Sequence, residues 1–139
     1  KASEIKKHLK GMVRFHNEKT KHIIKAREIF LNGGVGPKLV GTPLEVREWL
    51  VENVYGLGYK EASHFLRNIG MGGELAILDR HILKNLVKYE VIKEIPKSMT
   101  KKRYLQIEER MKEFAEKSGI PIAHLDLLFW SEETGEIFK

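Results

Sequence analysis

Residues 56–79 read GLGYKEASHFLRNIGMGGELAILD, and the rest of the chain is organised around this stretch. Its first three residues, Gly56-Leu57-Gly58, separate two segments with helical patterns. Glycine allows backbone angles and close approaches that a side chain would obstruct. The triplet therefore predicts a tight turn between two helices. Amide groups of such a turn, together with the N-terminus of the next helix, attract an anion such as a phosphate.

Two charged residues of this stretch lie at the starts of expected helices. Lys60 lies in its first turn, off the apolar stripe, where the helix dipole disfavours a cation. Asp79 follows an apolar run and precedes another helical pattern, which is a favoured position for an N-terminal cap. A solvated lysine and a capping aspartate would both be ordinary. An amine nucleophile paired with a carboxylate is the functional alternative.

The order of these features resembles that of the helix-hairpin-helix DNA glycosylases, and most closely the archaeal-type 8-oxoguanine DNA glycosylase/AP lyases. A second region, near Arg14 and Arg27, is similar to the helix pair that precedes the hairpin in that family. The resemblance rests on Tyr55-Gly56-Leu57-Gly58-Tyr59-Lys60-Glu61-Ala62, Gly70-Met71-Gly72-Gly73, Leu78-Asp79-Arg80-His81, Arg14-Phe15-His16-Asn17 and Ala26-Arg27.

The resemblance implies a bifunctional repair enzyme that removes 8-oxoguanine and then nicks the strand. Lys60 would attack the deoxyribose C1′ and form a Schiff base, and Asp79 would stabilise the positive charge that develops on the sugar. The DNA backbone would contact Gly56, Leu57, Gly58 and His81. No metal or organic cofactor would be required.

The resemblance also implies that the C-terminal residues recognise the extruded base. Trp130 and Phe138 offer aromatic faces, and the carboxylate of Lys139 offers an acceptor for the N7 proton that distinguishes 8-oxoguanine from guanine. The alternative is that Trp130 belongs to the core and the tail is loose. The expected partner is duplex DNA that contains oxidised guanine, bound by a monomer.

Two other functions stay open. The protein could be a glycosylase with the same chemistry and another damaged base as its substrate. It could also be a non-catalytic helix-hairpin-helix module that binds phosphate through the same turn. Such a module has no reason to pair the turn with Lys60 and Asp79.

The overall composition fits a folded DNA-binding protein. The 139 residues suffice for one domain with a core, or for two small helical lobes that flank a cleft. Lysine and arginine number 25 against 19 acidic residues, and the net charge of +6 favours an anionic partner. We expect a single glycosylase domain over residues 1–139, with the hairpin and the catalytic aspartate in 43–90. The resemblance further implies a missing N-terminal segment.

Absent residue types narrow the function further. The chain has no cysteine, which excludes disulfides, thiolate zinc sites, cysteine catalysis and the four-cysteine iron–sulfur cluster of some related glycosylases. No apolar run approaches the roughly 18 residues of a membrane span, and no signal peptide pattern opens the chain. The expected location is the cytoplasm, at the nucleoid, and no membrane partner is expected.

Helical periodicity predicts an all-α fold. Two helices are expected before the hairpin, over residues 3–13 and from an Asn17 cap to Asn32. A helix capped by Thr42 and the helix 59–69 form the hairpin, and further helices follow Asp79, Thr100 or Ser98, and Pro121. The residues expected to face inward are Ile5, Leu9, Met12, Ile23, Ile24, Phe30, Leu31, Val46, Trp49, Leu50, Val54, Ala62, Phe65, Leu66, Ile69, Tyr104, Ile107, Met111, Phe114 and Ala115.

Overall fold

The computed structural model describes residues 1–135, without the side chain of Pro37, and within that range it contains helices and no strand. The all-α prediction is confirmed. The α-helices are α1 Ala2–Leu9, α2 His16–Leu31, α3 Pro43–Asn53, α4 Tyr59–Asn68, α5 Arg80–Lys88, α6 Lys101–Ser118 and α7 Ile122–Thr134, with a 3₁₀ turn at Gly36–Lys38. No helix in this range is both long and apolar enough to cross a membrane.

The chain divides into two compact units, Lys1–Gly58 and the residues from Tyr59 onward. The first unit contains α1 to α3, and the second contains α4 to α7. The boundary falls between the glycine turn and α4. The expected segment 43–90 therefore belongs partly to each unit.

The helix ends follow local capping chemistry. The Thr42 hydroxyl accepts from the Glu45 N–H at 3.3 Å, and the Glu45 carboxylate accepts from the Thr42 N–H at 2.8 Å, so the predicted capping box of α3 is confirmed. Thr100 caps α6, and Gly119 ends that helix in the left-handed conformation at φ 68°. The cap expected at Asn17 is wrong, because α2 begins at His16 after Phe15.

The first unit has a small core, and several apolar residues expected inside it are exposed. α1 ends at Leu9, so Met12 lies beyond the helix and is 80% exposed. On α2 the shielded residues fall on two opposite faces, one with Thr20 and one with His22. A single apolar stripe was the wrong pattern for this helix, which explains the exposure of Ile23, Phe30 and Leu31.

The hairpin helices show a second departure from the expected stripes. Val46, Leu50 and Val54 are buried on α3, as predicted, and Trp49 is half-buried. Arg47 is only 1% exposed, although a charged residue is rarely buried so completely. α4 ends at Asn68, so Ile69 is outside the helix and exposed, while Phe65 is half-buried and Ser63 is buried.

The second unit has the larger core, formed mainly by α5, α6 and α7. The buried amide of Asn85 on α5 donates to the Phe129 carbonyl of α7 at 3.1 Å and to the His81 carbonyl at 3.0 Å. This core therefore includes a polar connection between two helices. Its buried members are Ala76, Leu78, Ile82, Leu83, Leu86, Ile92, Tyr104, Ile107, Met111, Ala115, Ile122, Leu125 and Phe129.

Candidate active site

The glycine turn is shaped by contact with α2. Gly56 has a φ of 90°, and a Cβ there would lie 2.6 Å from the Nδ1 atom of His22. The His22 ring meets the Tyr55 ring edge-on, with 5.1 Å between their centroids. The Leu57 N–H donates to the Val54 carbonyl at 3.1 Å, which closes the turn. Glycine at position 56 therefore satisfies both an unusual backbone angle and a close approach.

Cations of α2 lie beside this turn. The Lys25 ammonium is 3.8 Å from the centroid of the Tyr55 ring, a cation–π contact. Lys21 donates to the Glu18 carboxylate at 2.8 Å, and this hydrogen bond raises the pKa of Lys21 above its usual value. Lys25 therefore adds positive charge beside Tyr55, whereas Glu18 balances the charge of Lys21.

Lys60 is the second residue of α4, and its side chain is 45% exposed. Its Nζ lies 3.1 Å from the Oε1 atom of Glu61. Such an exposed pair contributes only about 0.2–1 kcal/mol, so an incoming ligand can displace it at little cost. The ammonium thus lies at the surface of the second unit, within reach of a macromolecular substrate.

Asp79 caps α5, as the capping interpretation predicted. Its Oδ1 atom accepts from the Ile82 N–H at 2.9 Å, and its own N–H donates to the Ile77 carbonyl at 2.8 Å. The residue is half-buried. Capping fixes the orientation of the carboxylate and is compatible with a second, electrostatic role.

His81 follows in the first turn of α5 and is half-buried. Its Nδ1 atom is buried and makes no hydrogen bond with the described residues. A contact with the DNA backbone would therefore have to use Nε2.

An ion pair braces the loop that leads to Asp79. The Arg67 guanidinium on α4 binds the buried Asp126 carboxylate of α7 and also donates to the Leu75 carbonyl. Gly72 of the same loop packs on the backbone of α4, since a Cβ there would lie 2.5 Å from the backbone nitrogen of Arg67. The loop is thus held against α4, the helix that also carries Lys60.

The residues expected to recognise the base are only partly described. Trp130 is half-buried and packs against the core of the second unit, which agrees with the core interpretation of this residue. Phe138 and Lys139 lie outside the described residues. The expected base pocket therefore stays a prediction.

Sequence reasoning missed the buried acids of the second unit. Asp126 lies on one helical face with three buried apolar residues. Leu125, Asp126 and Phe129 follow Ile122 by three, four and seven residues. Glu108 occupies the equivalent place between Ile107 and Met111 on α6. An acid within an otherwise apolar stripe is a detectable signal, because a buried carboxylate needs a specific partner. The pattern does not reveal which partner.

Comparison with known proteins gives a consistent family. The family profile described as 8-oxoguanine DNA glycosylase matches residues 1–120. A Fusobacterium nucleatum protein named 8-oxoguanine DNA glycosylase/AP lyase is 50% identical over the whole chain, which covers 66% of that relative. A Methanocaldococcus jannaschii protein with the same name is 39% identical over 98% of the chain, which covers 65% of it.

Solved structures agree with the sequence relatives. The chain superposes with a TM-score of 0.87 on the M. jannaschii 8-oxoguanine glycosylase/lyase in complex with a 15mer DNA containing 8-oxoguanine, at 36% identity, covering all of this chain and 67% of that one. The 8-oxoguanine DNA glycosylase of Thermotoga maritima gives a TM-score of 0.86 at 37% identity, with 100% and 66% of the two chains covered.

The chain spans only part of the length of the curated relatives that it matches, 66% and 65% for the two above and 44% to 59% for others. The profile match extends across both structural units and includes the turn, Lys60 and Asp79. On this evidence the chain belongs to the 8-oxoguanine DNA glycosylase family, with the helix-hairpin-helix fold.

Proposed function

We propose that this protein excises 8-oxoguanine from duplex DNA and then cleaves the strand at the resulting abasic site. The observation that carries the proposal is the match of the whole chain to relatives named 8-oxoguanine DNA glycosylase/AP lyase. By their resemblance to the family motif, Lys60 would be the nucleophile and Asp79 the assisting carboxylate. Their positions at the starts of α4 and α5 support these roles.

Binding would begin at the DNA backbone. The amides of the turn formed by Gly56, Leu57 and Gly58 would bind phosphate, and His81 would add a contact through Nε2. The target nucleotide would leave the base stack, because a stacked base is out of reach of a side chain. One chain supplies both Lys60 and Asp79, so a monomer would suffice. A protein with this substrate would act at the nucleoid.

Base release would follow attack by Lys60. The unprotonated Nζ would form a bond to C1′ as the bond from C1′ to the base breaks, and the departing base would accept a proton. Positive charge develops on the sugar during this step. The Asp79 carboxylate would stabilise that charge and assist in removing the proton from the lysine nitrogen.

Strand cleavage would follow from the same covalent intermediate. Opening of the sugar ring gives a Schiff base between C1′ and Nζ, with the ring oxygen protonated. Loss of a proton from C2′ then expels the phosphate from C3′ by β-elimination. Water finally hydrolyses the imine and releases Lys60.

Recognition of the lesion would depend on Trp130, Phe138 and the carboxylate of Lys139. An aromatic face would stack on the base, and an acceptor would bind the N7 proton of 8-oxoguanine. Deleting Phe138 and Lys139 should therefore slow 8-oxoguanine excision far more than strand cleavage at a pre-formed abasic site. Equal effects on both steps would place the acceptor elsewhere.

Borohydride trapping tests the proposal directly. The protein is incubated with a duplex that contains a single 8-oxoguanine, borohydride is added, and a covalent protein–DNA adduct is sought by gel electrophoresis. An adduct with the lesion duplex, and none with undamaged duplex, is expected. Tight binding without an adduct would favour a non-catalytic binding module. An adduct with a different lesion duplex alone would favour another substrate base.

A further inference from the structure

The segment that carries Asp79 is buried and belongs to no helix or strand. Residues 75–78 are Leu-Ala-Ile-Leu, all at most 4% exposed. Buried backbone N–H and C=O groups need hydrogen-bond partners, and an irregular segment cannot supply them all by itself. Partners from neighbouring helices therefore determine where this segment, and Asp79 after it, is held.

Two side chains of α6 supply several of those partners, in addition to Arg67 of α4, which donates to the Leu75 carbonyl. The Tyr104 hydroxyl donates to the Ala76 carbonyl at 2.7 Å and accepts from the Leu78 N–H at 3.3 Å. The Glu108 carboxylate accepts from the Ala76 N–H at 2.8 Å. Tyr104 and Glu108 are four residues apart on one face of the helix and are 2% and 3% exposed. Together they hold the segment by three hydrogen bonds from its side.

Tyr104 also contacts the start of α4. Its ring lies 5.4 Å from the ring of Tyr59, measured between centroids. Tyr59 is the first residue of α4 and directly precedes Lys60. One buried side chain therefore contacts the neighbour of Lys60 through its ring and the segment before Asp79 through its hydroxyl.

We propose that Tyr104 is a positioning residue that fixes the Asp79 carboxylate relative to Lys60. Glu108 contributes to the same positioning through its hydrogen bond to Ala76. The inference rests on the proposed roles of Lys60 and Asp79. The Tyr104 hydroxyl is well placed for this function because it fixes two backbone groups of a segment that has no regular structure. Without it, two buried polar groups lose a partner and the segment has to shift to satisfy them.

Removing the single hydroxyl is the sharpest test. Tyr104→Phe keeps the ring against Tyr59 and should fold, but its single-turnover rate of base release should fall by about ten- to hundred-fold, since small displacements of catalytic groups cost this much. The dissociation constant for the lesion duplex should change by less than about two-fold, because the turn is intact. Tyr89→Phe is the matched control. It removes a hydroxyl that bonds the exposed Glu132 in the same unit, and it should leave the rate unchanged.

A double substitution separates positioning from general stability. On an Asp79→Asn background the residual rate should not fall further when Tyr104→Phe is added, because the carboxylate to be positioned is already absent. A structural role would instead lower the rate by the same factor on both backgrounds. Glu108→Gln keeps an acceptor for the Ala76 N–H and should retain more activity than Glu108→Ala.

The possible outcomes are distinct. A folded Tyr104→Phe protein with the unaltered rate, or one whose affinity and rate fall together, overturns the inference. If Tyr104→Phe does not fold, equal rates for Glu108→Gln and Glu108→Ala overturn it. If Asp79→Asn retains full activity, the proposed role of Asp79 fails and the inference with it. If Asp79→Asn is impaired and Tyr104→Phe is not, the inference alone fails.

Discussion

Lys60 is the residue on which the proposed chemistry depends most. Lys60→Gln should abolish both base release and borohydride trapping, because an amide cannot form the Schiff base. The affinity for duplex DNA should fall only slightly, since the turn amides are unaffected. Lys84→Gln is a matched control, because Lys84 is similarly exposed and also pairs with an acid, Glu133. A trapped adduct with the Lys60→Gln protein would disprove the assignment.

The capping role of Asp79 and its proposed catalytic role can be tested separately. Asparagine caps helices about as well as aspartate, so Asp79→Asn should keep the melting temperature close to that of the unaltered protein. Base release should slow by about 10²-fold or more, because the negative charge is lost. Asp79→Ala should lose about 1 kcal/mol of stability in addition. An active Asp79→Asn protein would mean that Asp79 serves only as a cap.

For single residues, the sequence predicted local roles such as capping better than it predicted long-range hydrogen-bond partners. Asp79 as a cap could be predicted because capping depends on residues within one turn, and Ile82 is three residues away. The bond between Glu108 and Ala76 joins residues 32 positions apart, and the bond between Arg67 and Asp126 joins residues 59 positions apart. Nothing local encodes such pairs.

At the level of elements, the turn before α4 offers a direct test of DNA binding. Gly56→Ala forces a side chain into a left-handed backbone and against His22, a strain of about 1–3 kcal/mol. The affinity for duplex DNA should fall, because the turn amides would be displaced. Titration of a fluorescent duplex measures the effect.

The control for this test is Gly73→Ala. Gly73 has no positive φ, and a Cβ there would meet nothing within 4 Å, so duplex affinity should be unchanged. Adding His22→Ala to Gly56→Ala removes the contact but not the backbone strain and should restore only part of the affinity. Unchanged affinity for Gly56→Ala would argue against a phosphate contact at this turn.

Helix ends were predicted well where capping residues define them and poorly where they do not. Thr42, Thr100 and Gly119 have side chains or backbone preferences that set a boundary. The start of α2 has no side-chain cap, and Phe15 adopts a φ of 56° there. The two shielded faces of α2 depend on tertiary contacts on both sides of the helix, which periodicity does not reveal.

The whole molecule has 25 basic and 19 acidic residues, and this net positive charge predicts strong salt dependence of DNA binding. Each neutralised phosphate contributes about −0.9 to the slope of log affinity against log salt concentration. For roughly four phosphate contacts the slope should be about −3 to −4. Affinities measured for undamaged duplex between about 50 and 200 mM salt give this slope. A slope near zero would contradict binding through the DNA backbone.

The side-chain anchors of residues 75–78 also have a consequence for deuterium uptake. Amides in an irregular segment normally exchange quickly, but Ala76 and Leu78 donate to Glu108 and Tyr104 in a buried environment. Their protection should therefore match that of amides in the neighbouring helices. Tyr104→Phe should release Leu78 to faster exchange while the amides of α6 stay protected. Mass spectrometry of peptides that cover these residues can follow the difference.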